Sequence, residues 1–435
     1  MINGVYFMSE YLPRIIDKQI EKYLRVIGAI LIIGPKWCGK TTTAMQHTNS
    51  MLKLQSNQKD YYYQVAEINP KQLLNGEKPK LIDEWQITPI LWDIIRNDVD
   101  ESNDKGLYIL TGSTVVNDSE IMHTGTGRIH RMLMMPMSLY ESKDSNGQIS
   151  LSELFQNPDM DISTCISDLT VEDIAFVACR GGWPESLNIE NKEDQLLIAS
   201  LYFDAICESD VSAIDGIKRD SNRIRYILRS YSRNISTLAK DKTILSDISN
   251  EYGDISKTTY YDYIDALKRL FVIKNIGGWS PNIRSANMIR KGTKKEFIDP
   301  SIAIAALDLS PERLMNDIKT FGFIFENLCI RDLTIYINDI GGNIYYYNDN
   351  YGLEADAVLQ LKNGDYALIE IKLGSREIEK GAKNLLKLKK LIQEKKDKEK
   401  LNIPNPKFLA IITGGEFAYT RKDGVKVIPI GCLKN

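Results

Sequence analysis

A glycine-containing segment near the start of the chain has the residue types and spacing that bind nucleotide phosphates. Residues 34–41 read GPKWCGKT and match GxxxxGK[ST] in full. Glycines let backbone N–H groups surround phosphate oxygens, and the helix that follows points its positive end at them. In this pattern Lys40 reaches the β- and γ-phosphates, and the Thr41 hydroxyl ligates Mg²⁺. We therefore predict an ATP site formed by Gly34, Pro35, Lys36, Trp37, Cys38, Gly39, Lys40, Thr41 and Thr42.

The alternative is a glycine turn that matches this pattern by accident. The context argues against an accident, because the apolar run Ala29–Ile33 precedes the motif as a strand would, and a helical stretch follows it. About 40 residues further on, the apolar run Lys80–Ile82 ends in Asp83 and Glu84. Such a pair is usually solvated surface, but behind a P-loop we expect Asp83 to hold Mg²⁺ and Glu84 to deprotonate the attacking water.

Three further polar residues are candidates for the same chemistry. Ser113 follows the apolar run Leu107–Thr111 and is placed to sense the γ-phosphate or the water, with Thr111 as the second candidate. A turn that simply caps the strand is the alternative. Arg128 lies in a glycine-rich loop and is a candidate arginine finger that reaches a neighbouring subunit's nucleotide. An exposed arginine in such a loop is more often a surface charge, and we leave both interpretations open.

A second set of acidic and basic residues lies near the end of the sequence. Asp356, Glu370 and Lys372 look like the Asp…Glu-x-Lys signature of restriction-endonuclease-like folds, with Glu326 as an upstream helical acid. In those folds the two acids converge on a divalent metal, and the lysine helps to activate water. Strand alternation puts Glu370 and Lys372 on one face. The spacing alone is a weak signal, and such domains often serve as binding modules, so nuclease activity stays open.

These residues require a particular set of elements to position them. The first third alternates apolar runs with helical stretches, which predicts a parallel sheet covered by helices on both faces. From about Ser150 to Ser236 the pattern is helical, as in Asp194–Ser209 and Ile217–Ser232, and lacks strand signals. Near the end, three apolar runs predict neighbouring strands at Ile344–Tyr347, Ala355–Gln360 and Tyr366–Ile371.

The intervening segment has the pattern of a winged helix. Ile244–Tyr252 and Lys257–Arg269 are two predicted helices joined by a turn, and Phe271–Ile276 is the predicted wing strand. Such a second helix can enter the major groove of DNA. Its charges are mixed here, so a packing module or lid is an equally good interpretation.

Overall composition sets the limits of these predictions. The 435 residues carry a net charge of −3, so a polyanion would need a local basic surface. Residues 372–400 supply one, with eleven Lys or Arg against five Asp or Glu, although a solvated amphipathic helix is the commoner outcome. Six scattered cysteines and three histidines predict neither disulfides nor zinc. We see no signal peptide or membrane span, which predicts a cytoplasmic protein without a membrane partner.

Several short motifs together resemble a family of prokaryotic ATPases of the AAA-plus superfamily. They are YLPR at 11–14, the P-loop, LIDEWQ at 81–86, LTGS at 110–113, GR at 127–128, PMSL at 136–139 and GGWPE at 181–185. The resemblance runs from about residue 10 to 435, and it implies a C-terminal domain of unknown function with a restriction-endonuclease-like core. Lys36, Trp37 and Trp85 depart from the residues usual in that family, but none of these changes removes a catalytic group.

The resemblance and the patterns together define an α/β chain of four parts. We expect a P-loop AAA-plus ATPase domain at residues 1–145, a helical lid or linker at 146–235, a winged helix at 236–285 and an endonuclease-like domain at 286–435. Arg180, just before the GGWPE motif, is a candidate nucleotide contact, although a structural role is favoured.

The predicted function is hydrolysis of Mg-ATP that rearranges the C-terminal half on or near DNA. A nucleotide-dependent switch that binds a protein partner and an ATP-gated, Mg²⁺-dependent nuclease are the alternatives. A small-molecule kinase is a more distant possibility. An oligomer is possible.

Overall fold

The computed structural model describes residues 11–55, 59–114, 125–281, 292–349, 352–399 and 404–435. These residues form two compact units. The first unit covers the chain up to Pro136, together with Trp183–Asn188 and Arg269–Phe271. The second unit covers Met137–Gly182, Ile189–Lys268 and Val272–Asn435. The predicted helical, winged-helix and endonuclease-like segments all fall mainly in the second unit, and the four-part division remains a prediction.

The first unit is built on a parallel sheet of five strands. The strands are β1 (Ala29–Ile33), β2 (Ser50–Lys53), β3 (Lys80–Asp83), β4 (Tyr108–Gly112) and β5 (Ile129–Leu133), in the spatial order β2-β3-β4-β1-β5. All neighbouring pairs are parallel, so the carboxyl ends of the strands share one edge. The three predicted strands are confirmed, with the third shifted by one residue. Their apolar side chains are buried because helices cover the sheet.

Helices and an aromatic core complete the first unit. The helices are Ile16–Leu24, Lys40–Met45, Lys59–Ile68, Pro70–Leu74, Ile90–Ser102 and Pro184–Leu187. Trp85 and Trp92 pack against each other with ring centroids 4.8 Å apart, and both are buried. Leu31 of β1 and Leu110 of β4 belong to the same core cluster, so the strands that carry the predicted site rest on a tightly packed base.

The middle of the chain is helical, as predicted. Its helices are Leu151–Gln156, Val171–Arg180, Lys192–Ala205, Val211–Ala213 and Ser221–Arg233, with a π-helical turn at Ile206–Asp210. Thr170 and Asp173 form a reciprocal capping box at the start of one helix, which explains where it begins. The prediction of no strand in this region is wrong at its start, because β6 (Ile149–Ser150) pairs with β13 (Leu433–Lys434).

The two helices predicted for the winged helix are present, and the winged helix itself remains a prediction. Its two helices form at Asp241–Glu251 and Lys257–Arg269. The predicted wing strand at Phe271–Ile276 is wrong as a regular strand. Phe271 has a left-handed φ of 58°, and the residues after it make only isolated antiparallel bridges, Ile273 with Phe297 and Ile276 with Lys294. A residue in the left-handed region breaks the extended backbone that a strand needs.

The C-terminal part contains a mixed sheet of six strands. They are β7 (Gly342–Asn348), β8 (Glu354–Leu361), β9 (Tyr366–Lys372), β10 (Leu409–Thr413), β11 (Tyr419–Thr420) and β12 (Lys426–Pro429), in the order β11-β12-β10-β9-β8-β7. The three predicted strands are confirmed as β7, β8 and β9. The remaining helices of this part are Pro300–Ala306, Pro311–Asn316, Ile318–Asp339 and Ile378–Glu399.

The lysine-rich segment forms the helix Ile378–Glu399 and packs on this sheet. Leu385, Leu388 and Ile392 are buried against strand residues, whereas most of the lysines are exposed. The prediction of a solvated amphipathic helix therefore describes how this helix packs, and the outer face of the helix remains basic.

A buried ionic network lies within the second unit. The Arg331 guanidinium pairs with Asp299 and Asp332, and all three side chains are almost fully buried. The two carboxylates also accept backbone N–H groups, Asp299 from Gly182 at 3.0 Å and Asp332 from Leu139 at 2.9 Å. Within the second unit, these charge-assisted hydrogen bonds tie Leu139 and Gly182 to the network around Arg331. Across the part of the chain that the structure describes, no helix combines the length and apolar character needed to cross a membrane.

Candidate functional site

The predicted phosphate-binding loop follows β1 and precedes the helix Lys40–Met45. Gly39 adopts a left-handed φ of 95°, which favours glycine at this position. A Cβ at Gly34 would lie 2.1 Å from the Met134 carbonyl oxygen, so no larger residue fits there. Trp37 also has a positive φ, and its side chain is half exposed. Of the other loop residues, Pro35 and Cys38 are buried, Lys36 is half-buried and Thr42 is exposed.

The Lys40 side chain is folded back onto this loop. Its Nζ donates to the carbonyl oxygens of Gly34 at 3.0 Å and Pro35 at 2.7 Å, and the residue is 6% exposed. A lysine that binds phosphate would exchange these carbonyls for phosphate oxygens. The hydrogen bonds hold the ammonium at the loop, where that exchange needs only a short movement.

Asp83 joins two hydroxyl groups at the carboxyl edge of the sheet. Its Oδ1 accepts hydrogen bonds from Thr41 Oγ1 and Thr111 Oγ1, each at 2.7 Å. Asp83 and Thr111 are buried, and each lies on a strand next to or near the loop. A carboxylate and a hydroxyl in contact supply oxygen ligands of the kind that Mg²⁺ prefers. These residues therefore fit the ion that accompanies ATP.

Glu84 lies beside this pair and is held by the neighbouring strand. Its backbone has a left-handed φ of 54°, and its N–H donates to Thr111 Oγ1 at 3.1 Å. The side-chain Oε2 accepts from Ser113 Oγ at 3.2 Å and from the Gln86 amide. A strained backbone at a non-glycine residue costs about 1–3 kcal/mol and is typical of functional sites. Thr111 thus contacts Asp83, and Ser113 contacts Glu84, so both of the alternative candidates lie at the site.

Arg14 belongs to the same site, and sequence reasoning missed it. Its Nη1 donates to the Cys38 carbonyl oxygen at 2.8 Å, and its Nη2 donates to that of Met135 at 2.7 Å. The residue is 6% exposed. Its guanidinium thus connects the phosphate-binding loop to the strand end after β5. The YLPR motif contained this arginine, but nothing in its spacing indicated a contact with a loop 24 residues away.

Arg128 lies at the amino ends of the strands, whereas the phosphate-binding loop lies at their carboxyl ends. It immediately precedes β5, whose first residue Ile129 is in register with Ala29 at the amino end of β1. Its guanidinium pairs with Asp100, and its side chain is 46% exposed. It is therefore remote from its own nucleotide site, and action on a neighbouring subunit remains a prediction.

Arg180 has a structural role, as favoured from the sequence. Its Nη1 and Nη2 contact the two carboxylate oxygens of Asp144 at 3.2 and 2.5 Å, and the arginine is 5% exposed. A buried bidentate pair of this kind fixes the start of the GGWPE motif.

The second candidate site is a group of three carboxylates and two lysines within the second unit. We call Lys294, Glu326, Asp356, Glu370 and Lys372 the carboxylate–lysine cluster. Lys372 Nζ lies 3.0 Å from Asp356 Oδ2 and 2.6 Å from Glu370 Oε2. The structure therefore brings together the predicted Asp…Glu-x-Lys residues across β8 and β9. Glu326 joins them through Lys294, which pairs with Glu326 and lies 3.8 Å from Asp356 Oδ1.

Burial and charge separate the behaviour of the two strand acids. Burial alone would raise the pKa of Asp356, but the charges of Lys294 and Lys372 outweigh it and hold that pKa below its usual range. Burial raises the pKa of Glu370 to about 8, and the nearby Asp356 carboxylate acts in the same direction. Sequence reasoning missed Lys294, because no motif connects it with residues more than 30 positions away.

Comparison with protein families identifies one domain of a known type and two domains of unknown function. Residues 27–143 match the family described as an AAA domain. Residues 171–313 and 321–433 match two families described as domains of unknown function, DUF8612 and DUF4143. Two uncharacterized proteins, from Mycobacterium bovis and Mycobacterium tuberculosis, are each 20% identical over 417 residues, which cover 94% of this chain and 82% of the relative.

Three solved structures show distant likenesses. A Walker-type ATPase of Pyrococcus abyssi is 14% identical and aligns over 67% of this chain and 94% of its own, with a TM-score of 0.41. A signal transduction ATPase with numerous domains from Pyrococcus horikoshii is 11% identical over 76% of this chain and 50% of its own, at 0.22. Drosophila ORC bound to DNA is 12% identical over 64% and 89%, at 0.21.

The AAA match covers the five-stranded parallel sheet and the loop after β1. The match to a domain of unknown function does not address whether the C-terminal part is endonuclease-like. Residues 27–143 therefore form an AAA-type P-loop ATPase domain.

Proposed function

We propose that the protein hydrolyses Mg-ATP at the carboxyl edge of the first sheet, with Glu84 as the general base. The observation that carries this proposal is the contact of Thr41 and Thr111 with one oxygen of Asp83, next to a Glu84 held by Ser113. This arrangement puts a set of metal-ligand oxygens beside a carboxylate that can accept a proton.

Each residue has a separate task in this proposal. The P-loop backbone and Lys40 bind the phosphates and balance their charge, and Thr41 and Asp83 hold the ion. When bound, Mg²⁺ neutralises charge that develops on the phosphate oxygens. Glu84 orients the attacking water and takes its proton, and its contact with Ser113 sets the direction of the carboxylate. Arg14 acts as a positioning residue, because it holds the loop through the Cys38 carbonyl.

The test is steady-state ATP turnover of the wild type and of Glu84→Gln, each with Mg²⁺ and with EDTA. Loss of a positioned general base lowers the rate by about 10²- to 10⁴-fold, and we expect a loss in that range. Glu77→Gln, at an exposed position of the same unit, is the matched control and should retain turnover. Equal turnover in wild type and Glu84→Gln would overturn the assignment of the base.

We further propose that the nucleotide state rearranges the second unit, which acts on or near DNA. The support for DNA is the basic outer face of the helix Ile378–Glu399, where Lys380, Lys383, Lys387, Lys389 and Lys390 are exposed. The outer face of the helix Lys257–Arg269 carries exposed Asp262 and Asp265 beside Lys257 and Lys268, so it gives DNA little preference. A protein partner is therefore the alternative to DNA.

Duplex DNA added to the turnover assay separates these outputs. Stimulation that is lost when Lys387, Lys389 and Lys390 are changed to Gln would support DNA as the partner. Absence of both binding and stimulation would favour a nucleotide-dependent switch that binds a protein. Mg²⁺-dependent DNA cleavage that Asp356→Ala abolishes would instead support an ATP-gated nuclease.

A further inference from the structure

The Asp…Glu-x-Lys signature implies a divalent metal at the carboxylate–lysine cluster, and the cluster's own geometry tests whether one fits. In the part of the chain that the structure describes, no three His, Cys, Asp or Glu side chains are grouped so as to hold a metal ion. The carboxylates of the cluster are instead paired with ammonium groups. The question is therefore what each carboxylate oxygen already contacts.

One carboxylate oxygen of Asp356 is already engaged, and an ammonium faces the other. Its Oδ2 accepts the Ile371 backbone N–H at 2.7 Å and lies 3.0 Å from Lys372 Nζ. Its Oδ1 faces Lys294 Nζ at 3.8 Å. The side chain is 10% exposed, so solvent supplies few further partners.

Lys294 lies between Asp356 and Glu326, the upstream helical acid of the predicted signature. Its Nζ pairs with Glu326 Oε1 and faces Asp356 Oδ1. Its side chain is 8% exposed. A buried ammonium at this point occupies the space between the two carboxylates and supplies the positive charge that they need.

The backbone of Lys294 fixes its side chain in this place. Its N–H donates to the Ile276 carbonyl at 3.0 Å, and its carbonyl accepts from the Ile276 N–H at 3.3 Å. On the adjoining helix, Asn327 donates to Glu296 at 2.6 Å and to the Phe297 carbonyl at 3.1 Å. Both sides of the Lys294–Glu326 pair are thus anchored, and the lysine is not a mobile surface side chain.

A count of charges distinguishes this cluster from a metal site. Three carboxylates and Lys372 alone would leave two negative charges, which one divalent ion neutralises. Lys294 supplies a second ammonium and leaves one formal negative charge among the five groups. A divalent ion would therefore add uncompensated positive charge in a buried place.

We propose that Lys294 is the resident cation of the cluster, and that its ammonium excludes a divalent metal from the site between Glu326 and Asp356. Lys294, Glu326 and Asp356 then form an ion-paired structural element of the cluster. This inference does not depend on ATP hydrolysis by the first unit. It makes the ATP-gated nuclease the least favoured of the outputs considered above.

The test measures Mn²⁺ binding to the full-length, nucleotide-free protein by electron paramagnetic resonance. All samples carry Asp83→Asn, which removes the proposed metal ligand at the P-loop. The Asp83→Asn protein should bind no Mn²⁺ at 0.1–1 mM, that is, with an affinity weaker than about 1 mM. Addition of Lys294→Met, which keeps the side-chain length and removes the charge, should create one site with at least a tenfold gain in affinity.

Lys294→Arg in the same background is the matched control, because it keeps the positive charge and should still exclude Mn²⁺. If Lys294→Met fails to fold, as judged by near-ultraviolet circular dichroism, Lys294→Gln replaces it. One Mn²⁺ bound by the Asp83→Asn protein and lost on Glu326→Gln would overturn the proposal. Folded Lys294→Met and Lys294→Gln proteins that both bind no Mn²⁺ would also overturn it, because the lysine would then not be what excludes the metal.

Discussion

Two aspartates at strand positions of this protein have opposite kinds of partner. Asp83 in the first unit accepts hydrogen bonds from two threonine hydroxyls, whereas Asp356 in the second unit faces two lysine ammonium groups. A neutral hydroxyl can remain beside a carboxylate when a metal binds, and can itself become a ligand. An ammonium competes with the metal for the same oxygens. The partner of a strand acid, more than the acid itself, therefore indicates whether the site is ready for a cation.

The largest expected effect concerns what each aspartate does for turnover. Asp83→Asn should lower ATP turnover by more than about a hundredfold, since charge stabilisation by a bound metal is worth several kcal/mol. Asp356→Asn should leave the turnover of the folded protein within about twofold, because Asp356 belongs to the second unit and has no task in the proposed hydrolysis. Steady-state ATPase assays of both variants give the comparison. An equal loss of turnover in the two variants would contradict the proposed difference between the two aspartates.

The same two variants should rank in the opposite order when stability, rather than ATP turnover, is measured. Asp356→Asn leaves Lys294 and Lys372 without their shared counter-charge and should lower the free energy of unfolding by on the order of 3 kcal/mol. Asp83→Asn keeps partners for both hydroxyls and should cost less than about 1 kcal/mol. Urea unfolding of each variant in EDTA measures this difference. A greater loss of stability for Asp83→Asn than for Asp356→Asn would show that the hydroxyl partners contribute more to stability than the ammonium partners.

A third carboxylate sharpens the comparison through pH. Glu296 is fully buried, and burial raises its pKa to about 7, although Lys294, Asn327 and Ser236 act against that shift. A carboxylate whose pKa is raised on folding stabilises the protein at low pH, and that contribution is lost as pH rises from about 4.5 through 7. Glu296→Gln cannot titrate, so its stability relative to the wild type should increase between pH 5 and 8 by on the order of 2–3 kcal/mol.

Urea unfolding of both proteins across this pH range, at constant ionic strength, tests the Glu296 prediction. Glu251→Gln, an exposed change in the same unit, is the control and should show no such trend. Parallel pH profiles for the wild type and Glu296→Gln would mean that Glu296 does not titrate in this range.

The smallest expected effect belongs to Arg14, which touches carbonyls rather than a carboxylate. Arg14→Lys retains a charge but replaces the two nitrogens that donate to Cys38 and Met135 by a single one. We expect kcat/KM for ATP to fall about tenfold, which corresponds to about 1.4 kcal/mol. Arg25→Lys, at an exposed position after the first helix, is the control. A positioning role predicts that KM rises more than kcat falls. A uniform loss of folded protein without a change in KM would indicate a merely structural role.

The sequence predicted the first sheet well because its signals are local. Apolar runs marked β1, β3 and β4, and the P-loop pattern marked the end of β1. The parallel arrangement then brought Thr41, Asp83 and Thr111 to one edge without any further information. The geometry of Glu84, including its contact with Ser113, follows from a backbone angle that no residue pattern specified.

The residues that sequence reasoning missed depend on contacts between distant segments. Arg14 reaches Met135 across 121 positions, and Lys294 reaches Glu326 across 32. By residue type alone, Arg14 and Lys294 cannot be distinguished from the exposed basic residues near them in the sequence. The wing strand failed for a different reason, because the left-handed backbone at Phe271 is not encoded by a glycine or an asparagine.

The pairing of β6 with β13 has a consequence for the order of events during synthesis. Ser150 Oγ donates to the backbone oxygen of Asn435, and the two residues are 285 positions apart. Because a ribosome adds about 5–20 residues per second, β13 leaves the ribosome roughly 15–60 s after β6. The strands of the first sheet are all made by residue 133, so that sheet can assemble long before. The nascent chain therefore has a complete P-loop sheet while β6 is still unpaired, the kind of intermediate on which chaperones act.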